Sequence, residues 1–178
     1  AAERGDRIMF EAQLGALRDI DFGIYPYTSS SSTIAAYAPI GAGIPGIKLD
    51  STVGIMKAYS SCVGEGPFTV EMDGDEAGGE YGAATGRPRR VGAFDAVASR
   101  YGIRCQGADK IALTKLDVLS YLDSIPVCVA YEIDGKRVDE FPVGEALNLA
   151  KPVIECVPGW KCDISGCRSM DELPREAA

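Results

Sequence analysis

Phe94-Asp95-Ala96-Val97-Ala98-Ser99-Arg100-Tyr101-Gly102, then Lys110-Ile111-Ala112-Leu113-Thr114, then Pro126-Val127-Cys128-Val129-Ala130-Tyr131-Glu132-Ile133-Asp134-Gly135-Lys136: these three segments decide the fold class. In the first, Phe94, Val97, Ala98 and Tyr101 recur at i, i+3, i+4 and i+7, which gives a helix one apolar face and ends it near Gly102. The second is an apolar run short enough to be a buried strand. The third is a stronger strand, and Asp134-Gly135 is a hairpin signal that returns the chain through Lys136 to Phe141. Strands that alternate with helices and close on a hairpin predict an α/β protein, a mixed sheet with flanking helices. With no internal repeat and no clean boundary, residues 1–178 are expected to form a single domain.

Toward the N-terminus, Arg7-Ile8-Met9-Phe10-Glu11 reads as a short strand, followed by a turn from Gly15 to Asp21. Tyr25-Pro26-Tyr27-Thr28 leads into Ser29 to Ser32 and then into small residues up to Gly46. A linker is one reading of that composition. Ile34, Ala35, Ala36, Tyr37 and Ile40 are more apolar than a solvated linker needs, so an ordered loop with a short helix is expected. Asp50 or Ser51 can cap a helix over Thr52 to Tyr59. A strand pair, Ser60 to Val63 and Phe68 to Met72, follows, and the acidic, glycine-rich residues 73–86 read as a surface loop.

The 178 residues are 46% apolar and 25% charged, so the chain is globular, and folding removes on the order of 70% of its extended surface from water. A net charge of −8 argues against broad contact with nucleic acid or anionic membranes. No stretch approaches the roughly 18 apolar residues of a membrane span, and the first six residues do not open a signal peptide, so a cytoplasmic location is expected. The absence of histidine excludes Ser-His-Asp and Cys-His mechanisms within this chain. Six cysteines without a CxxC spacing read as reduced thiols and not as a metal site.

Three motifs could carry chemistry. Gly41-x-Gly43-x-x-Gly46 has the form of a dinucleotide fingerprint, but Pro45 deletes an amide and Lys48-Leu49-Asp50 stand before the next helix signal. Thr85-Gly86-Arg87-Pro88-Arg89-Arg90 puts three arginines into four positions, a grouping suited to phosphate or carboxylate oxygens, or to pairing with the acidic loop nearby. In Thr114-Lys115-Leu116-Asp117, placed after a strand, the carboxylate can accept hydrogen bonds from guanine N1–H and the exocyclic amine while the lysine stem covers the base. Adenine would leave that carboxylate unsatisfied. A helix-capping aspartate is the alternative. Glu11, Asp19 and Asp21 could also serve as site carboxylates, and capping or solvated turn positions explain Asp19 and Asp21 equally well.

Taken in order, Asp19 to Ser30, Gly54 to Ser60, Val63 to Phe68, Tyr81 to Arg90 and Leu113 to Leu119 resemble adenylosuccinate synthetase across nearly the whole chain. The resemblance implies part of that family's P-loop-like α/β fold. It also implies a homodimeric, magnesium-requiring enzyme that uses GTP to phosphorylate the 6-oxygen of IMP, and then lets the amine of L-aspartate displace that phosphate. Carried over by position, Thr28 would contact the IMP phosphate and Val63 its ribose region. Ala83, Ala84, Thr85, Gly86, Arg87, Pro88 and Arg89 would form the loop closing on L-aspartate. Arg87 would also reach IMP, Arg89 the GTP side, and Lys115, Leu116 and Asp117 would hold guanine.

The chain also departs from the family's pattern. The glycine-rich phosphate loop with its catalytic aspartate and lysine, the later histidine and the C-terminal part of the guanine pocket have no counterpart here. At Glu11-Ala12-Gln13-Leu14-Gly15 the family's glutamine is replaced by Leu14, with Gln13 one place early. The expectation is therefore a portion of the enzyme that supplies no catalytic residue and no metal ligand and is inactive alone. The alternative is a truncated or engineered nucleotide-binding scaffold without turnover.

Overall fold

A computed structural model describes residues 1–72, 80–81, 86 and 88–178. They fall into two compact units: Ala1–Gly54 with Arg100–Ile111, and Ile55–Ser99 with Ala112–Ala178. The division passes through three regular elements, β1 (Val53–Lys57), α2 (Ala96–Gln106) and β5 (Lys110–Thr114).

In the first unit a short helix α1 (Ala38–Gly41) continues a 3-10 turn at Ala35–Tyr37, so the serine-rich stretch does lead into ordered structure. The unit is held mainly by polar side chains that satisfy loop backbone. Asp19, 1% exposed, accepts hydrogen bonds from the amides of Thr33 (2.6 Å), Asp21 (2.9 Å) and Phe22 (3.0 Å). Gln106 accepts from Ala35 N and donates to Thr33 O, and the Tyr101 hydroxyl donates to Phe22 O. Loop amides that no ladder pairs must find such partners.

The second unit is built on β6 (Ser124–Ile133). It pairs in parallel with β4 (Phe94–Asp95), and antiparallel with β7 (Lys136–Val138) and β8 (Lys151–Pro158). The β6/β8 register runs from Ser124 opposite Pro158 to Glu132 opposite Lys151, with an irregularity between Cys128 and Ala130. Asp134 and Gly135 both take positive φ, 51° and 73°, as the tight hairpin requires. Val70, Ala93, Val97, Cys128 and Tyr131 form one core, and Ala58, Leu119 and Ile125 a second. Asp95 opens α2 by accepting the Ala98 amide on Oδ1, and takes the Tyr131 hydroxyl at 2.6 Å on Oδ2. A third helix, α3 (Glu145–Leu149), precedes β8, and β2 (Ser60–Cys62) pairs antiparallel with β3 (Arg90–Gly92).

The architecture is the expected α/β class with a mixed sheet, flanking helices and a hairpin. Several elements differ from the sequence reading. The helix expected over Thr52–Tyr59 is strand β1, paired with β5; Val53 and Ile55 alternate with Gly54 and Met56 at a period of two, a pattern that suits a strand. Arg7–Glu11 is not a strand, and among the described residues nothing pairs with it. Phe68–Met72 is a turn whose only ladder contact among the described residues is a bridge from Glu71 to Gly92. At Gly92 a Cβ would lie 2.2 Å from the Val70 carbonyl oxygen, so the turn depends on glycine to approach β3. Strand β5 forms as expected, but four of its five residues are exposed instead of buried.

Candidate functional site

The sequence-predicted positions fall in two places. In the first unit, the segment after cis-Pro26 is laced from behind: Arg18 donates to Tyr27 O, Ser29 N donates to Arg18 O (2.7 Å), and Ile20 N to Ser31 O (3.3 Å). Thr28 lies half-buried within this segment. Beside it opens a cleft of about 660 Å³ whose lining includes Glu11, Asp21, Ser30, Ser31, Ser32 and Tyr37, but not Thr28. Glu11 and Asp21 are therefore the carboxylates that face open space, whereas Asp19 is spent on the fold. Burial pushes the Asp19 carboxyl up, but the hydrogen bonds from Thr33, Phe22 and Asp21 outweigh it and leave its pKa below the ordinary value.

The fingerprint-like glycines serve a different purpose from the one their spacing suggests. Gly41 is the last residue of α1 and Gly43 takes φ 77°, so they close a helix instead of opening one, and the next regular element is β1.

In the second unit, Lys57 at the end of β1 ion-pairs with Glu80 Oε1, donates to Ser61 Oγ (2.8 Å), and lies 5.3 Å above the Tyr59 ring. Arg89 Nε stands 3.7 Å from the same Glu80 oxygen, and the Arg89 amide donates to the Glu80 carbonyl (2.8 Å). Burial raises the pKa of Tyr59 to about 12, helped by the charge and hydrogen bond of Glu80 and by the charge of Asp117, and opposed by Arg89. Burial also opposes ionisation of Glu80, but Lys57, Tyr59 and Arg89 together hold its carboxyl below the usual range. Arg89 and Asp117 thus act on one phenol, within a single electrostatic neighbourhood.

Lys115 is exposed with φ 66°, turning the chain between β5 and the 3-10 turn Asp117–Tyr121. Leu116 packs against the Ala58, Leu119 and Ile125 core, and Asp117 is exposed at the start of the turn. Val63 is 44% exposed just after β2, and Gly86 and Pro88 are exposed. The third arginine of the cluster serves the fold. Arg90 grips Glu71 through both carboxylate oxygens (2.7 and 2.6 Å), donates to Gly64 O and Gly66 O, and lies 5.3 Å over the Phe68 ring. The candidate residues Ala83, Ala84, Thr85 and Arg87, and most of the acidic loop, lie outside the described residues.

Sequence reading did not single out Lys57, Tyr59 or Glu80. Lys57 ends β1 and Tyr59 lies in the bend before β2, so no strand or helix periodicity linked the two. Glu80 carried no signal either, because its partners are 23 and 9 positions away. Among the described residues no group of three or more Cys, Asp or Glu converges to hold a metal ion.

Comparison with known proteins shows the family. The family model described as adenylosuccinate synthetase matches residues 1–178. The adenylosuccinate synthetase of Synechococcus sp. (strain WH7803) is 46% identical over 99% of this chain and 42% of its own length, and that of strain RCC307 is 48% identical over the same shares. A fully ligated adenylosuccinate synthetase from Plasmodium falciparum superposes with a TM-score of 0.85 at 42% identity, over 91% of this chain and 41% of that one. This chain belongs to the adenylosuccinate synthetase family. It spans about two-fifths of the length of the curated relatives it matches.

Proposed function

We propose that this chain carries the L-aspartate loop, part of the IMP site and the guanine-reading motif of an enzyme that joins IMP and L-aspartate into adenylosuccinate at the expense of GTP. Thr28 is assigned to the IMP phosphate and Val63 to its ribose. Ala83 to Arg89 are assigned to L-aspartate, with Arg87 also on IMP and Arg89 on the GTP side. Lys115, Leu116 and Asp117 are assigned to guanine. The Asp117 carboxylate accepts from N1–H and the 2-amino group of guanine; adenine has an acceptor at N1 and no 2-amino group, so it would leave the carboxylate unpaired. The Lys115 stem covers the base face and Arg89 supplies a guanidinium for an anionic group.

The observation that supports this reading is the match of the adenylosuccinate synthetase family model to residues 1–178, which include all of these positions. Magnesium would supply countercharge to the GTP phosphates; the described residues do not form a site for it, and no step is routed through it. A homodimer and a cytoplasmic location accompany the reading. No helix among the described residues is long and apolar enough to cross a membrane. By themselves the 178 residues are expected not to turn the substrates over.

The test is Asp117→Asn, followed by calorimetry with GDP and xanthosine diphosphate. The amide cannot accept from both guanine donors, so GDP should bind at least tenfold more weakly, while the xanthine base, with an oxygen at position 2, gains. Unchanged affinity for both nucleotides would refute the guanine assignment.

A further inference from the structure

Glu80 holds a position that the substrate assignments do not use. Its Oε1 is shared by two cations, Lys57 in direct contact and Arg89 Nε at 3.7 Å, and the side chains are only 22 to 31% exposed. At 3.7 Å the second contact is an ion pair but too long for a hydrogen bond. Accordingly Arg89 Nε and Glu80 Oε2 are both buried without a hydrogen-bond partner among the described residues. The Arg89 amide is meanwhile tied to the Glu80 carbonyl, which fixes the two residues backbone to backbone. One carboxylate thus holds two cations at once, with only one of them in direct contact.

We propose that Glu80 is a positioning residue, anchored by Lys57, that aims the Arg89 guanidinium at an anionic group of the nucleotide. The inference rests on the GTP-side assignment of Arg89 and deepens it. A positioning role and a purely electrostatic one predict opposite signs. If Glu80 merely added negative charge near an anion, neutralising it would tighten nucleotide binding. If it aims Arg89, neutralising it leaves Lys57 and Arg89 to repel each other, and binding weakens.

The experiment compares the 178-residue chain with its Glu80→Gln, Glu80→Asp and Asp117→Asn variants, using GDP as the probe. Calorimetry should show about a tenfold weaker GDP affinity for Glu80→Gln, partly restored in Glu80→Asp. Without any nucleotide, the Arg89 Nε–H signal in nitrogen-15 NMR should sharpen toward a mobile side chain in Glu80→Gln and stay as in the parent in Asp117→Asn. In Glu80→Gln the Tyr59 phenol should titrate below its parent value of about 12, because the charge of Glu80 is gone while burial remains. An unchanged Arg89 signal, or GDP affinity that is equal or higher in Glu80→Gln, would overturn the proposal. If the parent chain binds no GDP, the guanine reading fails, and the nucleotide-free Arg89 signal still decides the role of Glu80.

Discussion

Replacing Asp19 by asparagine removes one charge and very little volume, yet the structure predicts a large local effect. Both carboxylate oxygens accept from backbone amides: Oδ1 from Asp21 and Phe22, Oδ2 from Thr33 at 2.6 Å. An asparagine has a single oxygen. Its better orientation keeps the two Oδ1 bonds and turns the NH2 toward the Thr33 amide, so a buried donor faces a donor. An unsatisfied buried amide costs about 1–3 kcal/mol, and the loss of charge weakens the two remaining bonds, so the sum is about 2–4 kcal/mol. Hydrogen exchange resolves the effect by region, which matters in a chain of two compact units. The Thr33 amide and its neighbours in residues 19–33 should exchange roughly 30- to 1,000-fold faster, at a factor of ten per 1.4 kcal/mol. The pH profile gives a second reading. Because the folded pKa of Asp19 is lowered, its contribution is present above the unfolded value of 3.8 and fades as pH falls through the lower folded value. The asparagine variant should lack that acid-side loss. Thr33 protection within a factor of two of the parent, at neutral pH, would refute the reasoning.

Tyr131→Phe removes the hydroxyl that meets Asp95 Oδ2 in the core while leaving the Ala98 amide on Oδ1. Unfolding followed through Trp160 fluorescence should show a loss of about 1–3 kcal/mol with helix content retained. Gly92→Ala drives a Cβ into the Val70 carbonyl and should cost more than about 2 kcal/mol, with faster exchange of the Ala93 amide, which donates to that carbonyl. The purified chain, given IMP, L-aspartate, GTP and magnesium, should form no adenylosuccinate above a protein-free blank. Its sequence holds no histidine to act as a general base. Measurable product would end that expectation.

The sequence was most readable where one local signal dominates. The periodic apolar face of α2, the run of β6 and the Asp134-Gly135 turn are short-range features, and each appears close to where the residues put it. β8 escaped notice because Pro152 and Pro158 disguise it, although proline is tolerated in a strand paired on one side. β1 was misread because a plausible cap outweighed the alternation that follows it. Asp19 looked like a turn residue, since its partner Thr33 is 14 positions away and only the folded loop brings them together. The candidate site shows the same limit. Its motifs stood out as strings, whereas Glu80, which links Lys57 to Arg89, is defined by its partners and not by its neighbours.

The left-handed backbone of Lys115 has a consequence for how that residue can vary. A side chain held there costs about 1–2 kcal/mol, and glycine would remove the strain at roughly 0.5–1 kcal/mol of extra freedom lost on folding. Glycine would therefore come out level or slightly ahead, and the turn itself has no use for an ammonium group. If the base lies against this stem, a thermal-stability screen would accept glycine at 115, while a selection on the discrimination of guanine from adenine would restore lysine.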